Sequence, residues 1–206
     1  MKQSISGYLL GAGLLLTTIG WVSCNGGSET KDTPPKDTTV IDDSTKPAAS
    51  DADAKATALA TLTGTKTDTS LNGTAKFTEV EGGKVRMELE LTVPTKANKS
   101  VAVHFHAMAD CGDMGNMTGG HWNPTNKMHG KWGSDNFHSG DIGNINLDGS
   151  GKGKVDIESN LWTIGGDSTT NILDRSIIVH SGVDDYKSQP AGNSGSRIGC
   201  GLIKKQ

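Results

Sequence analysis

"KVRMELELTV", Lys84 to Val93, sets Val85, Met87, Leu89, Leu91 and Val93 in alternation with Arg86, Glu88, Glu90 and Thr92. Successive side chains of a strand point to opposite faces, so this period of two predicts a strand with one buried and one solvated face. Working outward, "ALATLTGTK" (58–66) and "TAKFTEV" (74–80) read as earlier strands, with turns expected at "SLNG" (70–73) and "EGG" (81–83). "SVAVHFHA" (100–107), "GKVDIES" (153–159) and "RSIIVHS" (175–181) read as later ones. No segment sustains an apolar period of 3.6, so the expectation is an antiparallel all-β domain, a sandwich or a barrel.

The rest of the chain bounds that domain. Its 206 residues include 28 glycines and few aromatics, with a formal net charge of -3, which suits one modest domain plus an unstructured portion. Basic runs interleaved with aromatics are absent, so a nucleic-acid partner is not expected. Residues 1–24, "MKQSISGYLLGAGLLLTTIGWVSC", begin with Lys2, run apolar from Tyr8 to Val22, and place small Ser23 before Cys24. That is a secretory signal, and its end resembles that of a bacterial lipoprotein, with Cys24 as the lipidated residue; an uncleaved membrane anchor and a plain signal peptide are the alternatives. Residues 25–56 are rich in Pro, Thr, Ser, Asp and Lys and hold too little apolar surface to offset the entropy of ordering. As a flexible tether they would average roughly 30 Å end to end, and about 100 Å at full stretch. The expected layout is therefore signal peptide 1–24, tether 25–56 and domain 57–206, exported to a bacterial cell envelope and held to a membrane by its lipid, on the periplasmic or the surface side.

The six histidines carry the chemistry. His104 and His106 are one residue apart within an expected strand, so they share a face and could grip one metal ion. His180 closes another strand. His121, His129 and His138, followed by Asp141, occupy a loop crowded with Gly and Asn; three imidazoles and a carboxylate are a tetrahedral zinc set. Taken singly, an H-x-H pair on a strand or a scattering of histidines in a polar loop is commonplace. Every histidine in the chain, however, falls in this loop or on strands that could flank it.

In order and spacing, "HFH", "GGHWNP", "HG", "FHSGDIGN", "IIVHSGVDDY" and "AGNSGSRIGCGLI" resemble the signature of the copper-zinc superoxide dismutases, over nearly all of Leu59 to Ile203. The resemblance implies a Greek-key β-barrel or sandwich with long metal-binding and electrostatic loops. It makes His104, His106, His121 and His180 ligands of one copper per subunit, and His121, His129, His138 and Asp141 ligands of one zinc. His121 is then shared, which requires an imidazole that has lost both ring protons. Asp184 matches the carboxylate that ties a copper histidine to a zinc histidine, here His104 and His129, and Arg197 the arginine that guides an anion to copper. Cys111 and Cys200, left over once Cys24 is assigned to lipid, match the family's intradomain disulfide.

The implied activity is conversion of superoxide to dioxygen and hydrogen peroxide by Cu(II)/Cu(I) cycling, with His121 and Arg197 as the catalytic side chains. The family includes monomers and homodimers, and the motifs do not choose between them. Departures lie at Ala107, Met108 and Ala109, and at Trp132, where relatives often carry proline. Met108, Met114, Met117 and Met128 surround the ligands in sequence, and thioethers favour Cu(I). The competing reading is thus a copper-binding or copper-delivery envelope lipoprotein without fast turnover, although a carrier would need neither the zinc bridge nor the arginine. Lys187 could add positive field.

Overall fold

A computed structural model describes residues 55–67 and 69–206. The expected signal peptide, Cys24 and all but the last two residues of the expected tether lie outside the described residues. No helix among the described residues is long and apolar enough to cross a membrane.

The chain forms β1 (Thr57–Gly64), β2 (Asn72–Val80), β3 (Lys84–Thr92), β4 (Ser100–His106), β5 (Asp141–Asn146), β6 (Lys152–Ser159), β7 (Ser176–His180), β8 (Arg197–Leu202) and the short β9 (Lys204–Lys205). They make one antiparallel sheet in the order β5-β4-β7-β8-β1-β2-β3-β6, with β9 pairing β1. The two ends of that order, β5 and β6, are joined by a tight turn in which Asp148 N–H donates to Lys152 C=O at 2.8 Å. The sheet therefore curls into a nearly closed barrel. Its β3-to-β4 and β6-to-β7 connections cross between non-neighbouring strands, which is the Greek-key pattern.

The alternation in Lys84–Val93 is realised as read: Val85, Met87, Leu89, Leu91 and Val93 are each no more than 2 % exposed. Ala58, Ala60, Leu62, Phe77, Val103, Phe105, Ile177, Val179 and Ile203 complete the interior from the other strands. The β2–β3 hairpin turns through Glu81–Gly83, where Gly82 and Gly83 take φ of 77° and 69°, a region open to glycine at little cost. The expected turn at 70–73 is corrected: Asn72 already pairs with Thr92 and Gly73 with Leu91 inside β2, so the reversal lies earlier in the chain. β5 was not expected at all, and β8 was anticipated only through the resemblance.

Every residue of β4 after Ser100 is buried. Val101, Val103 and Phe105 enter the barrel core, so Ala102, His104 and His106 lie on its outer face. Two long connections, 107–140 and 181–196, cover that face. The candidate site is built between the barrel and these loops.

Candidate metal centre

The loop after β4 returns alongside it. Trp122 N–H donates to Phe105 C=O at 2.7 Å, Ala107 N–H to Gly120 C=O at 3.0 Å, and an isolated antiparallel bridge sets His121 opposite His106. Phe105 N–H in turn reaches Gly140 C=O at 2.8 Å, which fixes the segment carrying His138 and Asp141. β7 lies next to β4, with Ile178 across from His104, and delivers His180 at its end.

These constraints gather all six histidines. One donor atom each from His104, His106, His121 and His180, and likewise from His121, His129, His138 and Asp141, form two groups whose donors lie within 4.8 Å of one another. His121 belongs to both. Its ring centroid is 4.0 Å from that of His104 and 5.1 Å from that of His106 on one side, and 5.3 Å from that of His129 on the other.

The outer ring nitrogens are all engaged. His104 Nε2 and His129 Nε2 each lie 2.9 Å from an oxygen of Asp184. His106 Nδ1 meets Gly119 C=O at 2.9 Å, His180 Nδ1 meets Gly195 C=O at 3.3 Å, and His138 Nε2 meets Lys127 C=O at 3.1 Å. The inner nitrogens are not: His104 Nδ1, His106 Nε2, His121 Nε2 and His180 Nε2, with His129 Nδ1 and His138 Nδ1, are buried without a hydrogen-bond partner. Orphaned buried polar atoms are rare and costly, and here six of them converge as two donor sets. The residues present therefore fit two cations. On the second set, Asp141 oxygens lie 2.8, 3.0 and 3.2 Å from the Nδ1 atoms of His121, His129 and His138. A tetrahedral ion with bonds of about 2.0 Å separates its ligands by about 3.3 Å, close to these contacts.

Electrostatics keep the donors ready. Burial pushes His106 down to about 2, with the nearby His121 ring adding to the effect, and His180 to about 3, helped by His104. Burial also outweighs the hydrogen bond to Asp141 in lowering His121 to about 4. These rings are neutral near pH 7, with lone pairs free to bind metal. At His129 the balance reverses: burial lowers it, but contacts with Asp141 and Asp184 prevail and raise it to about 9. For Asp141, burial alone would favour the neutral acid, yet its close contacts with the His121, His129 and His138 rings, and the His138 N–H, hold it well below the usual carboxylate range. Asp184 is held low in the same way by His104, His129 and the Tyr186 N–H.

A cleft of about 640 Å3 opens onto the first donor set, lined among others by His106, His121, His180, Lys127 and Arg197. Arg197 is anchored by the loop opposite: Nη1 donates to Gly115 C=O at 2.6 Å and Thr118 Oγ1 at 2.7 Å, and Nη2 to Gly119 C=O at 2.8 Å. Cys111 and Cys200 are joined in a disulfide spanning 89 residues, which ties that loop to β8 beside Arg197. Lys187 does not line the cleft, whereas Lys127, in the loop that carries His129, does. Met108, Met114, Met117 and Met128 are all exposed, and Met128 sits at the cleft. Trp132 packs its ring 5.1 Å from that of core Trp162.

Sequence reading missed the carbonyls of Gly119, Gly195 and Lys127, because a backbone acceptor leaves no mark on residue type. It also missed Gln189, whose amide bonds the main chain of His129 on both sides.

Residues 71–203 match the family profile described as copper/zinc superoxide dismutase (SODC). Over 143 residues, 66% of this chain and 91% of the relative, the sequence is 32% identical to "Superoxide dismutase [Cu-Zn]" of Podospora anserina. It is 34% identical over 111 residues to "Superoxide dismutase [Cu-Zn] 1" of Aquifex aeolicus, where the match spans 52% of this chain and 66% of the relative, just under two thirds of its length. Among solved structures, that of the clock protein EA4 aligns with a TM-score of 0.64 at 30% identity, covering 73% of this chain and 94% of that one. With a barrel of this topology and two donor sets sharing one histidine, the chain belongs to the copper/zinc superoxide dismutase family.

Proposed function

We propose that the domain converts two superoxide ions and two protons to dioxygen and hydrogen peroxide. The observation that carries this reading is the convergence of six orphaned ring nitrogens into two donor sets that share His121. His104 Nδ1, His106 Nε2, His121 Nε2 and His180 Nε2 would hold copper, and the Nδ1 atoms of His121, His129 and His138 with Asp141 would hold zinc. When bound, copper supplies a one-electron Cu(II)/Cu(I) couple and zinc a redox-silent cation.

The protein's own groups do the rest. Arg197 draws the anion into the cleft and orients it with the guanidinium N–H groups that the loop carbonyls leave free. His121 Nε2, facing the cleft, would be the atom that holds a proton and hands it to the departing peroxide. Asp141 keeps the ring in place meanwhile, through its contact with Nδ1. Asp184 fixes the tautomers of His104 and His129 by taking both Nε2–H groups. The positive charge of Lys127 at the mouth adds to the attraction.

The envelope setting belongs to the same reading. A lipidated Cys24 and a flexible tether would hold the domain off a membrane, and the disulfide suits an oxidising compartment. Labelling of the full chain by radioactive palmitate, abolished in Cys24→Ala, is the expected outcome; unlabelled wild type refutes the anchor. The activity is tested by rate and stoichiometry together: protein loaded with copper and zinc should consume superoxide far faster than its spontaneous decay and yield one dioxygen and one peroxide per two superoxide ions. Copper delivery is a second reading, favoured by exposed Met128 at the cleft. It predicts tight copper binding with superoxide decaying at its spontaneous rate.

A further inference from the structure

The loop 181–196 grips His129 at more than its ring. Gln189 Oε1 accepts the His129 N–H at 2.9 Å, and Gln189 Nε2 donates to the His129 C=O at 3.0 Å, so one amide closes on both main-chain polar groups of one residue. The same Nε2 also donates to Lys187 C=O at 3.2 Å. This pairing fixes which way the amide faces, because a flip would set donor against donor and acceptor against acceptor. The clamp is built in advance by the turn before it. Asp185 Oδ1 accepts the N–H groups of Lys187 and Ser188, and Asp185 Oδ2 accepts Ser188 Oγ–H, so Gln189 leaves the turn already aimed.

With Asp184 on the ring Nε2 and Gln189 on the backbone, His129 has little freedom to rotate its Nδ1 away from Asp141, 3.0 Å distant. Gln189 and its neighbours Pro190 and Ala191 also line the cleft that opens onto His106, His121 and His180. The amide thus joins the wall of that cleft to the loop that presents His129.

We infer that Gln189 is a positioning residue that sets zinc retention by clamping the main chain of His129, and that it couples the zinc loop to the cleft wall. The inference rests on the assignment of zinc to His129 made above. The test uses the full chain loaded with copper and zinc, comparing wild type, Gln189→Ala, Gln189→Glu and His129→Ala. Gln189→Glu keeps the size and the acceptor but turns a second oxygen toward the carbonyls of His129 and Lys187.

Zinc release to a chromogenic chelator should be about 10- to 100-fold faster in both Gln189 variants, the range typical for groups that hold a ligand in place. Copper content and the Cu(II) EPR spectrum should remain those of wild type. With cobalt(II) in place of zinc, the d–d absorption should change shape in Gln189→Ala, because the ring is no longer fixed. A core variant remote from the site, Val85→Ala, controls for simple destabilisation when all proteins are compared at the same interval below their own Tm. Release at the wild-type rate, or no faster than from Val85→Ala on that scale, overturns the role of Gln189 alone. Zinc held equally well by His129→Ala overturns both the role and the metal assignment beneath it.

Discussion

Replacing Gly192 by alanine should loosen the second metal ion although every one of its ligand residues is kept. A Cβ built on Gly192 would fall 1.9 Å from Asp184 Oδ1 and 2.6 Å from His129 Nε2, between two atoms that are 2.9 Å apart. To reach even a tight 3.0 Å contact, Oδ1 would have to retreat by 3.0 minus 1.9, or 1.1 Å. Glycine 192 cannot yield instead, since its N–H is bonded to Ser188 C=O at 2.7 Å and its C=O to Asp185 N–H at 2.9 Å. Its φ of 65° adds about 1 to 2 kcal/mol of strain for any side chain. Loss of one hydrogen bond to a charged group costs about 1.5 to 3 kcal/mol, so the total is about 3 to 5 kcal/mol. At about 2 to 4 °C per kcal/mol for a domain of this size, Tm should fall by roughly 10 °C or somewhat more. Zinc affinity should fall about 10- to 100-fold, as for other lost partners of a metal ligand. Differential scanning calorimetry and competition with a calibrated zinc chelator measure the two effects. Wild-type values in both would show that the Asp184–His129 bond does not organise the site.

Other outcomes follow from the same geometry. In the metal-free protein His106, His121 and His180 have depressed pKa values, so their stabilising effect is complete above about 6.5 and is lost as pH falls through 4 toward 2. His129, raised to about 9, stabilises fully below 6.5 and loses that contribution as pH climbs through 9, so metal-free Tm should peak near pH 6.5 in a calorimetric pH series. Reduction of the Cys111–Cys200 bond removes a constraint on an 89-residue loop and should destabilise the domain by about 4 to 5 kcal/mol in urea unfolding. Arg197→Lys keeps the charge but cannot serve Gly115, Thr118 and Gly119 together; its superoxide rate should fall severalfold while its dependence on ionic strength stays that of wild type, and Arg197→Ala should weaken both.

The strands that the sequence announces are those with one wet face. β3 shows an unbroken period of two because Glu88 and Glu90 meet solvent while Met87 and Leu89 fill the barrel. β5 gives no such signal: "DIGNIN" is buried on both faces at its start and carries Gly143 at φ 99° beside a register shift. β8 is masked by its glycines, and the structure supplies their reason. A Cβ on Gly199 would lie 2.6 Å from Leu71 Cδ1, and one on Gly201 would lie 2.6 Å from Thr61 C=O, so bulk is excluded where a pattern reading looks for it. The donor side chains were legible because imidazole and carboxylate are rare and chemically specific. What orients them was not, because Gly119, Gly195 and Lys127 act through carbonyls and Gln189 through a bond to backbone.

The most direct measurement is superoxide decay after pulse radiolysis, with the full chain loaded with copper and zinc set against its metal-free form across a range of ionic strength. Metal-dependent decay is expected near the diffusional ceiling of about 10^9 M−1 s−1, for which superoxide dismutases are themselves a standard example, slowing as salt screens Arg197 and Lys127. Full copper occupancy with decay at the spontaneous rate would contradict it.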